Sequence, residues 1–387
     1  HSVWVKYREC FEEVVRRTFK FSAKKLCFSF FEFAPNNKEE MKNNNNNDNN
    51  DKEEDEEHPS MKLTDAQAEM YDRQLRVWGV STQLKIAKAR VLILGAESPT
   101  LLECAKNIVL AGVSKVILCR GKAKEEEEEE TLSFLVTVED RAKKISVAEA
   151  AANSLQEMNP FGEVSAADFK FEDLEEDKDA ASAILGNNYD VVICCGRRVH
   201  ANTVKHLNEV CRERKIAFFL TESSSNHGYF FSDLGDAFEF IERKKHDSDN
   251  NEDGKESALL TKPFESFGSA IQKTSFANFK PKRSCKFTPI FCALKQLELM
   301  ENLKPTLEEV REHISKLPDG DKVVDGVSLE DLALFLDNRI EMPAIAAIVG
   351  GLLANEVIKS ISHAEEPVCN FFCFDVLSGK GTVEKLS

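Results

Sequence analysis

Short apolar runs that alternate with helical segments predict an α/β fold built on a doubly wound sheet. Arg90–Gly95 (R-V-L-I-L-G) and Ser114–Cys119 (S-K-V-I-L-C) have the continuous apolar character of buried parallel strands. Leu101–Leu110 lies between them with helical periodicity, so strand, helix and strand follow one another within about 30 residues. Pro99 suits the first turn of that helix. Such a unit is almost always right-handed, and its repetition along a chain gives the doubly wound arrangement.

The same alternation continues on both sides of this unit. Thr64 and Gln67 have the spacing of a capping box, which predicts a helix over Ala66–Leu75. The elements expected after the second strand are, in order, helix Val147–Met158, strand Tyr189–Cys195, helix His200–Arg214, strand Ile216–Thr221, helices near Thr306–Lys316, Leu329–Asp337 and Pro343–Ser362, and strand Asn370–Leu377. We expect Pro343–Ser362 to be a buried core helix in which Gly350–Gly351 lets another backbone approach closely.

Polar segments set the expected limits of the domain. Asn36–Glu57 is an Asn-rich, acidic tract that cannot bury enough apolar area to order itself. We therefore expect one domain over Met61–Ser387, with residues 1–60 as a disordered or doubtful N-terminal extension. The six consecutive glutamates Glu125–Glu130 predict a solvated loop. The polar composition from Arg243 to about Phe279 predicts a long flexible insert.

Composition and charge exclude several classes of protein. The 387 residues include 51 Lys and Arg against 67 Asp and Glu, a formal net charge of −16. That balance argues against a nucleic-acid-binding protein, because affinity for a phosphate backbone comes from concentrated basic residues. No unbroken apolar run reaches the length of a membrane-spanning helix. The 11 Cys contain no C-x-x-C pair, which favours a reduced, intracellular compartment over a disulfide framework or a thiolate zinc site.

The turn after the first predicted strand lacks the features of a working nucleotide site. A Rossmann-type turn normally reads G-x-G-x-x-G, whereas Gly95–Thr100 reads G-A-E-S-P-T and keeps only the first glycine. Pro99 removes an amide donor, and Glu97 places negative charge where a phosphate would bind. Cys119 and Arg120 stand where an acidic residue would bond the ribose, although an arginine there could suit a 2′-phosphate. The sequence therefore predicts a degenerate nucleotide pocket.

Other potentially reactive side chains have no spacing that indicates a site. His200, His206 and His227 are too irregularly placed for a metal site and are expected at the surface or the edge of the core. Cys285 and Cys292 are expected to be solvent-side thiols without an evident role.

The segment before the first strand carries a more specific pattern. Tyr71–Gly79 reads Y-D-R-Q-L-R-V-W-G, which could be an amphipathic helix but resembles the opening motif of the activating enzymes for ubiquitin and ubiquitin-like modifiers. Three further stretches resemble the same family: A-K-N-I-V-L-A-G-V (Ala105–Val113), N-H-G-Y-F-F-S-D-L-G (Asn226–Gly235) and P-A-I-A-A-I-V-G-G-L-L-A-N-E-V-I-K (Pro343–Lys359). The ending, N-F-F-C-F-D-V-L-S-G-K-G-T-V-E (Asn370–Glu384), is most similar to the small subunits of SUMO-activating enzymes. Apart from the inserts, the resemblance spans Leu63–Leu386.

This resemblance implies a fold, a reaction and different roles for two subunits. The fold would be a ThiF-type, Rossmann-like adenylation domain, and the chain would be the non-catalytic subunit of a heterodimeric SUMO-activating enzyme. The large catalytic subunit would bind ATP and Mg²⁺ and carry the Cys that forms the thioester with SUMO, the modifier. This chain would hold no cofactor or metal. Arg73 would reach across to the ATP phosphates of the partner. Tyr71, Asp72, Gln74 and Arg76 would be interface or positioning residues.

Two other functions stay open on the sequence alone. One is the equivalent subunit for a Rub/Nedd-type modifier, although the residues after the insert are too few for the extra helical domain of that subunit. The other is a nicotinamide-dependent oxidoreductase, which the βαβ pattern favours and the missing glycines oppose. Basic segments at Arg243–Lys245 and Lys280–Arg283 are compatible with nuclear targeting, though solvated loop charges are the commoner explanation. We expect a nuclear protein that could also be present in the cytoplasm.

Overall fold

The computed structural model describes residues 63–387, except for 122–132, 170, 172, 177, 187, 197–198, 243–257, 277–278, 280–282, 301–304, 318–319, 321–327 and 337–340. The expectations for residues 1–60 and for the glutamate run therefore lie outside the described residues, as does most of both basic segments. The following account concerns the described part of the chain.

Most of the described strands form one mixed sheet at the centre of the protein. The strands are β1 (Arg90–Leu94), β2 (Lys115–Cys119), β3 (Glu163–Ala166), β4 (Val191–Cys195), β5 (Ala217–Ser223), β6 (His227–Asp233), β7 (Phe238–Glu242), β8 (Ala258–Lys262), β9 (Phe371–Asp375) and β10 (Lys380–Glu384). Eight of them lie side by side in the order β10-β9-β6-β5-β4-β1-β2-β3, and β7 and β8 pair as a separate antiparallel ribbon.

The sheet has a parallel half and an antiparallel half. β1 pairs in parallel with both β2 and β4, while β3 extends the parallel half beyond β2 and β5 extends it beyond β4. The chain thus builds outward from β1 in two directions, which confirms the predicted doubly wound arrangement and places the topological switch point between β1 and β4. β6, β9 and β10 then extend the sheet with antiparallel pairings that the sequence analysis did not predict.

Helices cover both faces of the sheet. They are α1 (Asp65–Met70), α2 (Asp72–Ile86), α3 (Pro99–Leu110), α4 (Val138–Ala142), α5 (Val147–Met158), α6 (Asp173–Glu176), α7 (Lys178–Leu185), α8 (Ala201–Glu213), α9 (Phe267–Lys273), α10 (Phe287–Leu299), α11 (Leu307–Lys316), α12 (Leu329–Leu336) and α13 (Pro343–Ser362). One apolar core lies between the sheet and α3, α5 and α13. A second lies on the opposite face, against α8, α9 and α10.

The predicted opening helix is divided in two. The Thr64–Gln67 capping box is present in both directions, as predicted, and starts α1. The helix then ends at Met70, because Tyr71 leaves the helical conformation as its side chain turns into the core, and α2 begins at the next residue. Gly79, at a φ of 81°, bends α2 in its middle, a conformation that glycine adopts without a steric penalty.

The longest helix, α13, is a core helix. Within its 20 residues, an 18-residue window has a mean hydropathy of 1.6, so length and composition alone would suffice to span a membrane, although the helix is not an unbroken apolar run. However, 67% of the 18-residue window is buried inside the protein. α13 packs along α3 so closely that a Cβ at Gly350 would lie 2.5 Å from the carbonyl oxygen of Thr100. The expected close approach at Gly350–Gly351 is confirmed.

The insert predicted over residues 243–279 is shorter than the sequence indicates. From Ala258 the chain is ordered: β8 pairs with β7 along its whole length, and α9 follows. Phe267, Ala270 and Ile271 are buried at spacings of three and four residues in α9, typical of a helix that packs by one face. Polar residues surround these apolar positions, so the overall composition of the segment does not reveal the helical pattern. The prediction of a flexible segment was therefore wrong for residues 258–276.

Two expectations about reactive side chains were also wrong. Cys285 and Cys292 are buried, not solvent-side, because the helix α10, which the sequence analysis missed, carries Cys292 into the second core. His227 is fully buried and packs against Phe287 and Phe335, whose ring centroids are each 4.6 Å from its own and 6.2 Å from one another. Burial lowers the pKa of His227 to about 3, so it is a neutral core residue and not a surface or core-edge histidine.

Candidate functional site

The turn between β1 and α3 packs closely against the end of β4. Gly95 has a φ of 102°, and a Cβ placed on it would lie 2.6 Å from the Cβ of Cys195. Cys195 ends β4, so the carboxyl ends of β1 and β4 touch at the switch point, where a doubly wound sheet usually opens to bind a ligand. The glycine is therefore required for the contact between the two strands.

An acidic side chain bridges the next part of this edge. Oε2 of Glu97 accepts a hydrogen bond of 2.7 Å from the backbone N–H of Gly121, which lies just beyond β2. The end of β2 is where a dinucleotide-binding sheet carries the acidic residue for the ribose. Glu97 instead ties the turn after β1 to the end of β2 and places its negative charge between them.

A second acidic residue lies at the N-terminus of α3. Ser98 is the N-cap of α3, and Pro99 occupies its first turn. The carboxylate of Glu341, only 3% exposed, accepts hydrogen bonds there from Ser98 Oγ (3.0 Å), the backbone N–H of Thr100 (3.2 Å) and Thr100 Oγ1 (2.9 Å). Ser223 Oγ, at the end of β5, lies 2.9 Å from the same oxygen, Oε2, and 2.6 Å from Thr100 Oγ1, so the two hydroxyl protons are shared among these three oxygens. The sequence analysis missed Glu341, because no local pattern connects it with residues more than 100 positions away.

The opening motif is anchored in the domain by its tyrosine. Tyr71 is buried, and its hydroxyl donates to Asn159 Oδ1 (3.2 Å) and accepts from Asn159 Nδ2 (2.9 Å). Its ring packs edge-on against Phe161, with centroids 6.2 Å apart. Burial raises the pKa of Tyr71, so the phenol stays protonated and keeps its donor.

The other residues of the motif lie on two sides of α2. Gln74 faces the domain and donates from Nε2 to the carbonyl oxygen of Leu110 (3.3 Å). Asp72, Arg73 and Arg76 are exposed. Arg76 pairs with Asp72 at 2.8 Å, but the side chains are 77% and 53% exposed, so the pair contributes little to stability.

Further contacts fix α2 on the domain. Gln83 is buried, donates from Nε2 to the carbonyl oxygen of Ala111 (2.8 Å) and accepts from Trp78 Nε1 (2.9 Å). The outward face carries Val77 and Val80, both exposed, beside the three charged residues. The sequence-predicted residues are therefore brought together at the start of α2, with Tyr71 and Gln74 turned inward and Asp72, Arg73 and Arg76 turned outward.

The described residues do not present a metal-binding cluster. Among them, no group of three or more His, Cys, Asp and Glu side chains could hold a metal ion. Cys194 and Cys195 lie in the buried strand β4, and burial raises the pKa of Cys211, Cys292 and Cys373, so these three thiols are poor nucleophiles.

Comparisons with known proteins agree with the order of the motifs. Residues 71–386 match the ThiF family. The chain is 32% identical over 340 residues to SUMO-activating enzyme subunit 1B-1 of Arabidopsis thaliana, covering 84% of this chain and 98% of that protein. It is 30% identical over 346 residues to SUMO-activating enzyme subunit 1 of Mus musculus, covering 82% of this chain and 94% of that protein. With the Homo sapiens subunit 1 it shares 28% identity over 354 residues, covering 84% and 96% of the two chains.

Proposed function

The chain belongs to the ThiF family, in the branch of SUMO-activating enzyme subunit 1, and on that premise we propose that it is the non-catalytic subunit of a heterodimeric SUMO-activating enzyme. In this reaction the C-terminal carboxylate of the modifier attacks the α-phosphate of ATP and releases pyrophosphate. A Cys thiolate of the large subunit then attacks the acyl adenylate, forming a thioester and releasing AMP.

We assign ATP and Mg²⁺ to the large subunit and none to this chain. The proposal is supported by the turn after β1, where Glu97 accepts from the backbone N–H of Gly121 and Glu341 accepts from the backbone N–H of Thr100 at the start of α3. Two carboxylates beside that turn would also repel phosphate. The same geometry disfavours a nicotinamide-dependent oxidoreductase, which needs an open turn of this kind.

The observation that carries the proposal is the arrangement of the opening motif. Tyr71 is held in the core while Arg73, two residues later, is exposed in the first turn of the anchored helix α2. We propose that Arg73 crosses to the partner and stabilises the negative charge that develops on the phosphate oxygens during adenylation. Asp72 and Arg76 would position it or contact the partner, and Tyr71 and Gln74 would hold the helix.

The choice of modifier can be tested directly. The full chain, co-purified with the large subunit of a SUMO-activating enzyme, should support a reducible thioester between SUMO and that subunit when ATP and Mg²⁺ are present. A Rub/Nedd-type modifier should give none under the same conditions. A thioester formed with the Rub/Nedd-type modifier and not with SUMO would assign the chain to the other modifier.

We also propose that the protein acts in the nucleus, with a cytoplasmic fraction. The proposal rests on the basic segments at residues 243–245 and 280–283 and on the nuclear expectation for this family. Fluorescence microscopy of the tagged full chain tests it, with both basic segments replaced by glutamine as the comparison. Exclusion of the unaltered protein from the nucleus would contradict the proposal.

A further inference from the structure

The N-terminus of α3 contains a complete set of anion-binding donors, and an anion of the protein already occupies it. The donors are the N-cap hydroxyl of Ser98, the amide and hydroxyl of Thr100, and the hydroxyl of Ser223. They come from two different elements and converge on one oxygen atom of Glu341. Thr100 and Ser223 are fully buried, so these donors have little access to water.

The position of this cluster in the fold is the position of a phosphate. In a doubly wound sheet the ligand phosphate lies at the carboxyl ends of the strands, against the N-terminus of the helix that follows β1. The positive end of the helix dipole favours negative charge there, whether a phosphate or a carboxylate supplies it. Glu341 lies two residues before the start of α13, and α13 packs against α3. The packing of these two helices therefore places the carboxylate at the N-terminus of α3.

We propose that the carboxylate of Glu341 is an internal ligand that occupies the phosphate position of the β1–α3 turn and keeps it closed. Truncation of Glu341 would then leave an anion-binding pocket that inorganic phosphate or acetate can enter. The inference goes beyond the proposed function, because it concerns this turn in the chain alone and requires neither a partner nor a modifier.

Thermal unfolding of the full chain tests the proposal, with phosphate and acetate as probes against chloride at equal ionic strength. In chloride, Glu341→Ala should lower the melting midpoint by about 5 °C, because buried donors lose their acceptor. Phosphate or acetate at about ten times its dissociation constant should return about 3 °C of that loss. The unaltered protein should not respond, because its own carboxylate fills the position.

Glu356→Ala is the matched control. Glu356 is also a buried carboxylate, 2% exposed, and accepts from the backbone N–H of Val368 (2.7 Å) and from Lys359 Nζ (2.7 Å). It lies within α13 and away from the turn, so phosphate and acetate should not raise the melting midpoint of Glu356→Ala. If Glu341→Ala and Glu356→Ala respond equally to the anions, or if neither responds, the proposal is overturned.

A second measurement applies if Glu341→Ala fails to fold. Glu341→Gln keeps the shape of the side chain and removes its charge, which weakens the hydrogen bond from Ser223. Ser223→Ala should therefore lower the melting midpoint more in the unaltered protein than in the Glu341→Gln background. Equal losses in the two backgrounds would show that Ser223 and the carboxylate are uncoupled and would overturn the proposal.

Discussion

Tyr71 and Arg73 lie two positions apart, but one is a core residue and the other is exposed. The buried hydrogen bonds between Tyr71 and Asn159 fix the start of α2, and the direction of α2 then fixes where Arg73 points. An arginine that acts on a neighbouring site needs this kind of support, because a long side chain on a loose segment would lose rotamer entropy whenever it reached its target.

Replacement of Arg73 should affect adenylation and not assembly. We expect Arg73→Ala to slow ATP–pyrophosphate exchange by the purified heterodimer on the order of 10²-fold, as happens when a transition-state donor is lost. Arg73→Lys should recover only part of the rate, because a flexible ammonium cannot reproduce a planar guanidinium. Lys88→Ala, at an exposed cation just beyond α2 and outside the motif, is the control and should change the rate little. An Arg73→Ala heterodimer that assembles and exchanges at the wild-type rate would exclude the proposed role.

Burial of His227 should make stability depend on pH. Its pKa is lowered to about 3 in the folded protein, whereas the unfolded chain titrates near 6.5. Between these values the unfolded state binds the extra proton, so stability falls as the pH falls from about 6.5 towards 3, by up to about 1.4 kcal/mol per pH unit from this residue. Urea unfolding at pH 7, 6 and 5 should show a smaller loss for His227→Gln than for the unaltered protein. Equal losses would indicate that His227 is not responsible.

At this scale the sequence predicted roles for Arg73 and its neighbours, which stay predictions, and did not point to Glu341. The opening motif is local, so nine consecutive residues are enough to recognise it. The hydrogen bonds of Glu341 join residues separated by 118 to 243 positions, and only the folded chain brings them together. Burial of Cys285 and Cys292 was missed for a related reason, since it depends on which face of α10 meets the sheet.

At the scale of elements, strongly patterned segments were predicted well. The bounds of α5 and α13 agree with the sequence analysis residue for residue, because a capping serine starts α5 and an N-terminal proline starts α13. β6 was missed as a strand: all seven of its residues are buried, so it shows no alternation of polar and apolar positions. β7 and β8 were missed because they form a ribbon outside the main sheet.

The ordered part of the insert should be necessary for stability. Phe267 is fully buried in α9, next to Phe231 at a centroid distance of 5.6 Å, so Phe267→Ala should cost about 3–5 kcal/mol in urea unfolding. Deletion of residues 243–257 should cost far less. Glu242 and Ala258 are paired across the β7–β8 ribbon, so a short turn can join them. A deletion as damaging as Phe267→Ala would show that the limits of the insert are still wrong.

At the scale of the whole molecule, the protein combines an intact fold with a closed nucleotide turn. The two apolar cores and the central sheet are those of a stable α/β domain. Within it, Gly95 packs closely against Cys195 at the switch point, and Glu97 and Glu341 accept hydrogen bonds from groups beside the same turn. This arrangement supports the proposal that the nucleotide is bound by the partner subunit and not by this chain.

The most direct test of this account is ATP–pyrophosphate exchange measured with SUMO on three samples: the full chain alone, the large subunit alone, and the two together. We predict no exchange by the full chain alone, little or none by the large subunit alone, and rapid exchange by the heterodimer. Titration calorimetry on the same preparation of the full chain should detect no micromolar ATP binding. Exchange catalysed by the full chain alone, or micromolar ATP binding to it, would contradict the central claim that it acts only through a partner.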